Sequence, residues 1–228
     1  MNFNNNFNSR NYKKLLKFFI NRNYKFVSYK SFRSKQNILL RHDVDFDVNK
    51  ALSIAKIDYS LKINSHFFFL VDSPFYNLLE KKNIEALRKI AKMNHFIGLH
   101  LDMSNKIKTS SIADLIFKYE YLKKLIGASK IYSIHKYGSV KRNIYLNSFL
   151  NFYRKNITKI YYSDSGGKFR FGIPTKDFRI IKQKKSFQLN LHPIWWIGKE
   201  KRNQKISSLI RDKTLNLTKE IKKYKLIN

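Results

Sequence analysis

Three aspartates at alternate positions are the first residues in this sequence whose spacing could support chemistry. Residues 38–47 read ILLRHDVDFD, so Asp43, Asp45 and Asp47 follow an apolar run in a chain with only 15 acidic residues. In an extended strand, Asp43 and Asp45 point to the same face, where two carboxylates repel each other unless a cation or a proton separates them. The pair therefore indicates a metal site or an acid–base site. The alternative is a loop with a helix cap, and Asp47 is interpreted as that cap.

Eight histidines and aspartates, Asp43 and Asp45 among them, share one property: each falls at the carboxyl end of a predicted strand. They are His42, Asp43, Asp45, His100, Asp102, His135, Asp164 and His192. Parallel α/β sheets and barrels build their sites at this edge. Because the chain has no cysteine, a metal there must be bound by histidine and carboxylate ligands. His66 and His95 lie outside this set and are interpreted as structural.

The elements that must position these residues alternate between strands and helices. Continuous apolar runs are typical of strands buried on both faces, and apolar residues three and four apart predict helices. Strands are predicted over 37–40, 63–71, 95–102, 130–135, 159–165, 178–182 and 186–193, and helices over 11–22, 48–62, 83–93, 111–126, 143–155 and 203–224. This alternation predicts an α/β fold.

Composition and charge narrow the possible partners. A chain of 228 residues that is 43% hydrophobic can bury a single-domain core. Its net charge of +32 makes nucleic acid a candidate partner, but the basic residues are spread over the chain without a recognisable binding module. We therefore expect no specific nucleic-acid binding. The stretch LLKFFI at 15–20 is too short for a signal peptide or a transmembrane segment, which predicts a cytoplasmic location.

Six short stretches together resemble the polysaccharide deacetylase (NodB-type) superfamily. In chain order they are ILLRHDVDFD, INSHFFFLV, HFIGLHLD, SIHKYG, YYSDSGG and LNLHPIWW. The first and last are similar to a divergent branch with HDVD and HPxWW motifs, which is associated with surface-polysaccharide biosynthesis. The resemblance implies a distorted (β/α) barrel over 37–197, with an N-terminal helical extension at 1–36 packed on the core and a C-terminal helix of the same domain at 198–228.

The resemblance also implies roles for individual residues. The first motif would supply a catalytic base and a metal-binding aspartate from Asp43 and Asp45; Val44 between them leaves the order open, and we assign Asp43 as catalytic. The metal, Zn²⁺ or Fe²⁺, Mn²⁺ or Co²⁺, would be bound by Asp45, His100 and Asp102. Ser104 stands where the family has its second metal histidine, so Asp102 or His42 would have to replace it.

The remaining motifs supply the other half of the expected site. Asp164 matches the aspartate that tunes the acid, and His192 matches the catalytic histidine. His135 stands where the family has the arginine that orients the base, and is expected to contact substrate together with Tyr137 and Trp195. One of Trp195 and Trp196 is expected in the core and the other on an aromatic wall.

The function that follows is a metal-dependent hydrolase that removes N-acetyl groups from an N-acetylated sugar or glycan precursor. Two alternatives remain open. One is a different hydrolase on the same scaffold, because fold and metal do not define the substrate. The other is a catalytically impaired protein that binds glycans or acts as a scaffold.

Overall fold

Strands and helices alternate along most of this chain. The computed structural model describes residues 6–102, 109–135, 150–151 and 158–224. In chain order the elements are α1 (Ser9–Ile20), β1 (Lys25–Phe26), β2 (Asn37–Val44), α2 (Val48–Ser60), β3 (His66–Leu70), α3 (Lys81–Lys92), β4 (Phe96–Asp102), α4 (Thr109–Ile126), β5 (Ile131–His135), β6 (Leu150–Asn151), β7 (Tyr161–Ser163), α5 (Phe178–Ile181), β8 (Phe187–Leu191), α6 (Pro193–Trp196) and α7 (Arg202–Lys223). The predicted α/β class is confirmed.

The eight strands form one sheet with the neighbour order of a barrel. Along the sheet the order is β6-β5-β4-β3-β2-β8-β7, β1 adds to β2, and all these pairings are parallel. From β2 to β6 each strand lies beside the next one in the chain, and β8 returns to the other side of β2. This circular order is that of a (β/α) barrel, and β6 and β7 are its two ends among the described residues.

The sheet is buried because its central strands are apolar on both faces. Every residue of β2, β3 and β8 is buried. Helices α2 and α3 cover this core with residues such as Ile54, Ala55, Leu87 and Ile90. The first helix, α1, buries Tyr12, Leu15, Leu16 and Phe19 against the same core. Such a core fixes the register of β2, and therefore the positions of its aspartates.

Two predicted elements are wrong. The stretch at 178–182 was predicted as a strand, but Phe178–Ile181 form the helical turn α5, because the Asp177 side chain accepts a hydrogen bond from the backbone N–H of Arg179 and caps it. The helix predicted over 143–155 is contradicted at Leu150–Asn151, which form β6. Its other residues lie outside the described part of the chain.

The C-terminal helix α7 was predicted from its apolar residues, but these do not fill the core. Ile210, Leu215 and Ile221 are 58%, 52% and 40% exposed, whereas Lys205 is buried. The Lys205 ammonium donates to the carbonyl oxygens of Trp195 and Phe7, which attaches the first turns of α7, and the Lys213 ammonium donates to the Pro74 carbonyl oxygen further along the helix. Among the described helices, none combines the length and the apolar composition that crossing a bilayer requires.

Candidate active site

Strand register brings the predicted polar residues to one cavity at the carboxyl edge of the sheet. Arg41 on β2 pairs with Asn190 on β8, and His100 on β4 pairs with Ser133 on β5. Neighbouring residues in register point to the same face, so these side chains and those two positions further on share one side of the sheet. A cavity of about 790 Å³ opens there. The residues at its floor fall into two groups.

The first group consists of three ligand-type atoms at the corners of a small triangle. Asp45 Oδ1 lies 3.3 Å from His100 Nε2 and 3.4 Å from His135 Nδ1, and the two nitrogens are 3.2 Å apart. Asp45 and His100 are buried, and His135 is partly exposed to the cavity. Two imidazole nitrogens that face each other this closely must share a proton or a cation, because two lone pairs repel.

The triangle fits a divalent transition metal. Ligand atoms about 2.1 Å from a tetrahedral ion lie about 3.4 Å from one another, which matches the three separations. Asp45 Oδ1 is buried, and no donor in the described part of the chain is oriented to give it a hydrogen bond. His100 Nδ1 contacts the Ser133 hydroxyl at 2.7 Å, the kind of partner that orients a metal-binding imidazole. Although burial opposes ionisation, His100 and His135 hold the pKa of Asp45 well below its usual range.

The second carboxylate of the pair, Asp43, is held in a different way. Arg41 Nε and Nη2 each donate to one of its oxygens at 2.7 Å, and Asn190 Nδ2 donates to Oδ2 at 2.8 Å. Burial opposes ionisation of Asp43, but the Arg41 guanidinium keeps its pKa well below the usual range. Asp43 is therefore an ionised carboxylate that lies beside the triangle, with Oδ2 3.8 Å from His100 Nε2.

His192 also borders this floor, with Nε2 3.9 Å from Asp45 Oδ2, and is oriented by the buried Asp164. Asp164 Oδ1 contacts His192 Nδ1 at 2.6 Å and accepts from the His192 backbone N–H at 3.0 Å, while Trp196 Nε1 donates to Oδ2 at 2.5 Å. With Nδ1 engaged, His192 presents Nε2 to the cavity, 4.0 Å from Asp43 Oδ2. Burial would lower the pKa of His192, but Asp164, followed by Asp45 and Asp43, raises it to about 9.

Trp195 and Trp196 take different places. Trp196 is fully buried behind Asp164, and its ring packs against Tyr12 and Phe7. Trp195 lines the cavity wall, as do Phe46 and Phe75, whose rings are in contact. The division into one core tryptophan and one wall tryptophan follows from the helical turn α6, in which successive residues face different directions.

Three of the histidines have structural partners. His42 points to the opposite side of β2 from Asp43, where Nε2 lies 3.0 Å from the buried Asp58 carboxylate and Nδ1 lies 3.2 Å from the Leu191 carbonyl oxygen. His66 contacts the Leu40 carbonyl oxygen and His95 contacts that of Ala55. The structural interpretation of His66 and His95 is confirmed, and His42 does not reach the triangle.

Other predicted site residues lie further out or are not described. Asp102 lines the cavity and is exposed, but it contributes none of the three atoms of the triangle, although it follows His100 on the same face of β4. Tyr137 and Ser104 lie outside the described residues. Asp47 is the N-cap of α2, and its side chain accepts from the backbone N–H of Asn49 and Lys50, which confirms the prediction.

Sequence reasoning missed Arg41 and Asn190, and it expected His135 to contact substrate. The resemblance implies an arginine that orients the base and a second metal histidine, and this sequence has neither at the matching position. In the structure Arg41 contacts Asp43 from two residues away on the same strand, and His135 lies within ligand distance of His100. The arginine in RHDVD was the available signal, since residues two apart on a strand share a face.

Comparisons of fold find carbohydrate deacetylases. The chain is similar in fold to CE4 deacetylases. A peptidoglycan deacetylase from Bdellovibrio bacteriovorus aligns with a TM-score of 0.48 and 16% identity, over 83% of this chain and 53% of that protein. A chitin deacetylase from Colletotrichum lindemuthianum aligns with a TM-score of 0.45 and 11% identity, over 80% of this chain and 85% of the other.

A third similar structure is described as a CE4 family pseudoenzyme from Bacillus anthracis, with a TM-score of 0.46 and 15% identity over 78% of this chain and 62% of that one. This chain spans about half the length of the Bdellovibrio protein. No protein-family model matches the sequence, and no curated protein matches it. These likenesses concern the fold, so an activity must be argued from the site itself.

Proposed function

We propose that this protein is a metal-dependent hydrolase that removes N-acyl groups from an amino sugar or a glycan precursor. The observation that carries the proposal is the triangle of Asp45 Oδ1, His100 Nε2 and His135 Nδ1, with Asp43 and His192 beside it. Amide hydrolysis needs an electrophile, a base and an acid arranged around one carbonyl group, and these residues are suited to the three roles.

The proposed metal ligands are Asp45, His100 and His135. Two imidazole nitrogens and one carboxylate oxygen suit Zn²⁺, Fe²⁺, Mn²⁺ or Co²⁺. The chemistry that a divalent ion held by these residues would supply is polarisation of the acyl carbonyl and a lower pKa of bound water, so that water could attack near neutral pH. A site with only three protein ligands would be of the catalytic rather than the structural kind, which keeps a position for water or substrate.

Asp43 is the proposed base. Its contacts with Arg41 and Asn190 keep it ionised and fix its position. Since Arg41 and Asn190 hold Asp43 while no hydrogen bond is oriented to Asp45 Oδ1 among the described residues, we assign the role of base to Asp43 and that of ligand to Asp45. In this role Asp43 removes a proton from the attacking water.

His192 is the proposed acid. A pKa raised to about 9 keeps its imidazole protonated at neutral pH, and Asp164 directs Nε2 towards the cavity. From that position the Nε2 proton can pass to the amide nitrogen as the C–N bond breaks. The departing amine then leaves as a neutral group, which is a far better leaving group than an amide anion.

A carbohydrate substrate is supported by the shape and lining of the cavity. Its aromatic side chains, which include Trp195 and Phe75, provide flat apolar surfaces for the C–H faces of sugar rings, and the hydroxyl of Tyr161 offers a polar contact. A role in surface-polysaccharide biosynthesis and a cytoplasmic location remain predictions from the sequence.

The experiment is a deacetylation assay on purified, metal-loaded protein. Free amine release should be measured with N-acetylated oligosaccharides and monosaccharides for the wild type, Asp43→Asn and His192→Ala. Asp47→Asn is the matched control, because it changes an aspartate of the same stretch that serves only as a helix cap. We expect a loss of at least about 100-fold in kcat for the two site variants, in line with removal of an acid or base. If the wild type releases no amine from any acetamido sugar, the proposal is wrong.

A second candidate function is a glycan-binding protein with impaired catalysis. The observation that favours it is the pairing of Asp43 with Arg41, because a carboxylate with so low a pKa is a weak proton acceptor. This candidate predicts that the protein binds N-acetylated glycans without releasing amine, and that Asp43→Asn does not weaken this binding.

A further inference from the structure

Two consecutive glycines after β7 have no part in the proposed chemistry, although YYSDSGG is one of the six motifs. Gly166 and Gly167 have φ values of +69° and +73°, a left-handed conformation that residues with a side chain rarely adopt. The first of them borders the active-site cavity. The loop therefore takes a conformation that favours glycine at the edge of the site.

Both glycines also make room for arginine side chains. A Cβ atom on Gly166 would lie 2.9 Å from Arg170 Nη2, and one on Gly167 would lie 2.7 Å from Arg202 Cδ. Arg202 Nε donates to the Gly166 carbonyl oxygen at 2.5 Å, so its guanidinium is anchored to the same residue that Arg170 packs against. The two guanidinium groups thus border one short loop, and they reach it from different parts of the chain.

Neither of these arginines is paired with a carboxylate among the described residues. Arg41 and Arg179, in contrast, each contact an aspartate at 2.7 Å. Arg170 is exposed and lines the cavity, and the Arg202 guanidinium lies over the ring of Trp195, 5.9 Å from its centroid, on the cavity wall. Arg170 at the cavity, and Arg202 beside it over Trp195, have no acidic partner among the described residues and are available to an anionic ligand, for which the planar guanidinium is well suited.

We infer that Arg170 and Arg202, which both contact the Gly166–Gly167 loop, form an anion subsite, and that the substrate is an N-acylated amino sugar bearing a phosphate or a carboxylate. This inference rests on the proposed function and specifies its substrate class. Arg170 is exposed where it borders the cavity, so the anion of such a substrate is held there while its acyl group reaches Asp43 and His192 at the floor.

The experiment compares charged and neutral sugars on the same protein. Values of kcat/KM for N-acyl hydrolysis should be measured with N-acetylglucosamine 1-phosphate, N-acetylmuramic acid and N-acetylglucosamine, and binding of the first should be measured by calorimetry. The variants are Arg170→Gln, Arg170→Lys and Arg202→Gln. Arg211→Gln is the matched control, because it removes the same charge from an arginine of α7 that does not line the cavity. Thermal unfolding checks that each variant is folded.

We expect the wild type to prefer a charged sugar over the neutral one, and Arg170→Gln to reduce that preference about tenfold or more, as the loss of a hydrogen bond between charged groups does. Arg202→Gln should reduce it less, Arg170→Lys should retain part of it, and Arg211→Gln should leave it unchanged. Whichever charged sugar shows the larger preference identifies the anion as phosphate or carboxylate.

Two results separate the subsite from the proposed function. If the protein hydrolyses neutral and charged sugars equally well, or if Arg170→Gln behaves like Arg211→Gln, the subsite is refuted and the deacetylase function stands. If no sugar is hydrolysed but N-acetylglucosamine 1-phosphate binds and Arg170→Gln weakens that binding at least tenfold, the subsite stands and the deacetylase function is refuted.

Discussion

Replacing Arg41 by Met should destabilise the protein strongly, because it leaves a carboxylate buried without its cation. The Arg41 and Asp43 side chains are 6% and 5% exposed, and two hydrogen bonds of 2.7 Å join them. Removing one partner of a buried pair costs about 3–5 kcal/mol. Because Asn190 still donates to Asp43, we expect a loss at the lower end of this range, about 3 kcal/mol of the free energy of unfolding. For a domain of this size, that corresponds to a Tm lower by roughly 10 °C.

The loss should depend on pH in a defined direction. In the wild type, Arg41 lowers the pKa of Asp43, so the pair stabilises the fold above the ordinary pKa of aspartate and this contribution is lost as the pH falls below it. In Arg41→Met, burial dominates and the folded-state pKa is raised, so protonation relieves the penalty as the pH falls. The difference between the two proteins should therefore narrow between pH 7 and pH 4.

Urea unfolding at several pH values, with a chelator present so that metal binding does not contribute, measures this difference. Arg179→Met is the matched control, because Arg179 also contacts an aspartate two residues away but is 53% exposed. Arg179→Met should lower the free energy of unfolding by less than about 1 kcal/mol. If Arg41→Met costs no more than Arg179→Met, or if its penalty is the same at pH 4 and pH 7, the buried ion pair does not hold Asp43 as described.

Three further predictions concern residues around the site. Burial lowers the pKa of His66 to about 3. Neutral His66 therefore stabilises the fold fully above its ordinary pKa of 6.5, and this stabilisation is lost as the pH falls. At pH 5 the free energy of unfolding should be about 2 kcal/mol lower than at pH 7. His66→Phe should lack this loss in urea unfolding between pH 7 and pH 5, and parallel curves for the two proteins would contradict it. Gly98→Ala should lower the free energy of unfolding by about 1–3 kcal/mol and weaken metal binding. The reason is that its Cβ would lie 2.6 Å from the Ile131 carbonyl oxygen, between the strands that carry His100 and His135. Unchanged thermal unfolding and metal titration would refute that close approach. Trp196→Phe keeps an aromatic ring but removes a donor to the Asp164 carboxylate, which should lower the free energy of unfolding by about 1.5–3 kcal/mol. It should also lower kcat more than it raises KM. Steady-state kinetics identical to the wild type would show that this hydrogen bond does not position His192.

The sequence predicts the positions of the strand ends well, because continuous apolar runs and the polar residues after them are local signals. Asp43, His100, Asp164 and His192 all lie where the strand assignments put them. Two elements were wrong for local reasons of another kind. The apolar FRIIK suggested a strand, but the capping aspartate Asp177 starts a helical turn there, and Leu150–Asn151 are too few residues to produce a strand pattern.

Partners within the site were harder to predict, because they depend on register between strands that are distant in sequence. Asn190 reaches Asp43 only because β8 pairs with β2 at Arg41. His135 comes next to His100 because Ile131–His135 pairs with Phe96–Asp102 in a register that places Asp102 beside His135. Matching by family position gave His135 the place of an arginine, whereas the register places it within ligand distance of His100.

Metal content per chain tests the central claim most directly. Elemental analysis of purified wild-type protein, Asp45→Asn, His135→Ala and Asp102→Asn, with Asp47→Asn as control, distinguishes the triangle seen in the structure from the ligand set expected from sequence. We predict about one transition-metal ion per chain in the wild type, Asp102→Asn and Asp47→Asn, and a loss of bound metal in Asp45→Asn and His135→Ala, both still folded by circular dichroism. Full metal content in His135→Ala together with loss in Asp102→Asn would contradict the proposed site.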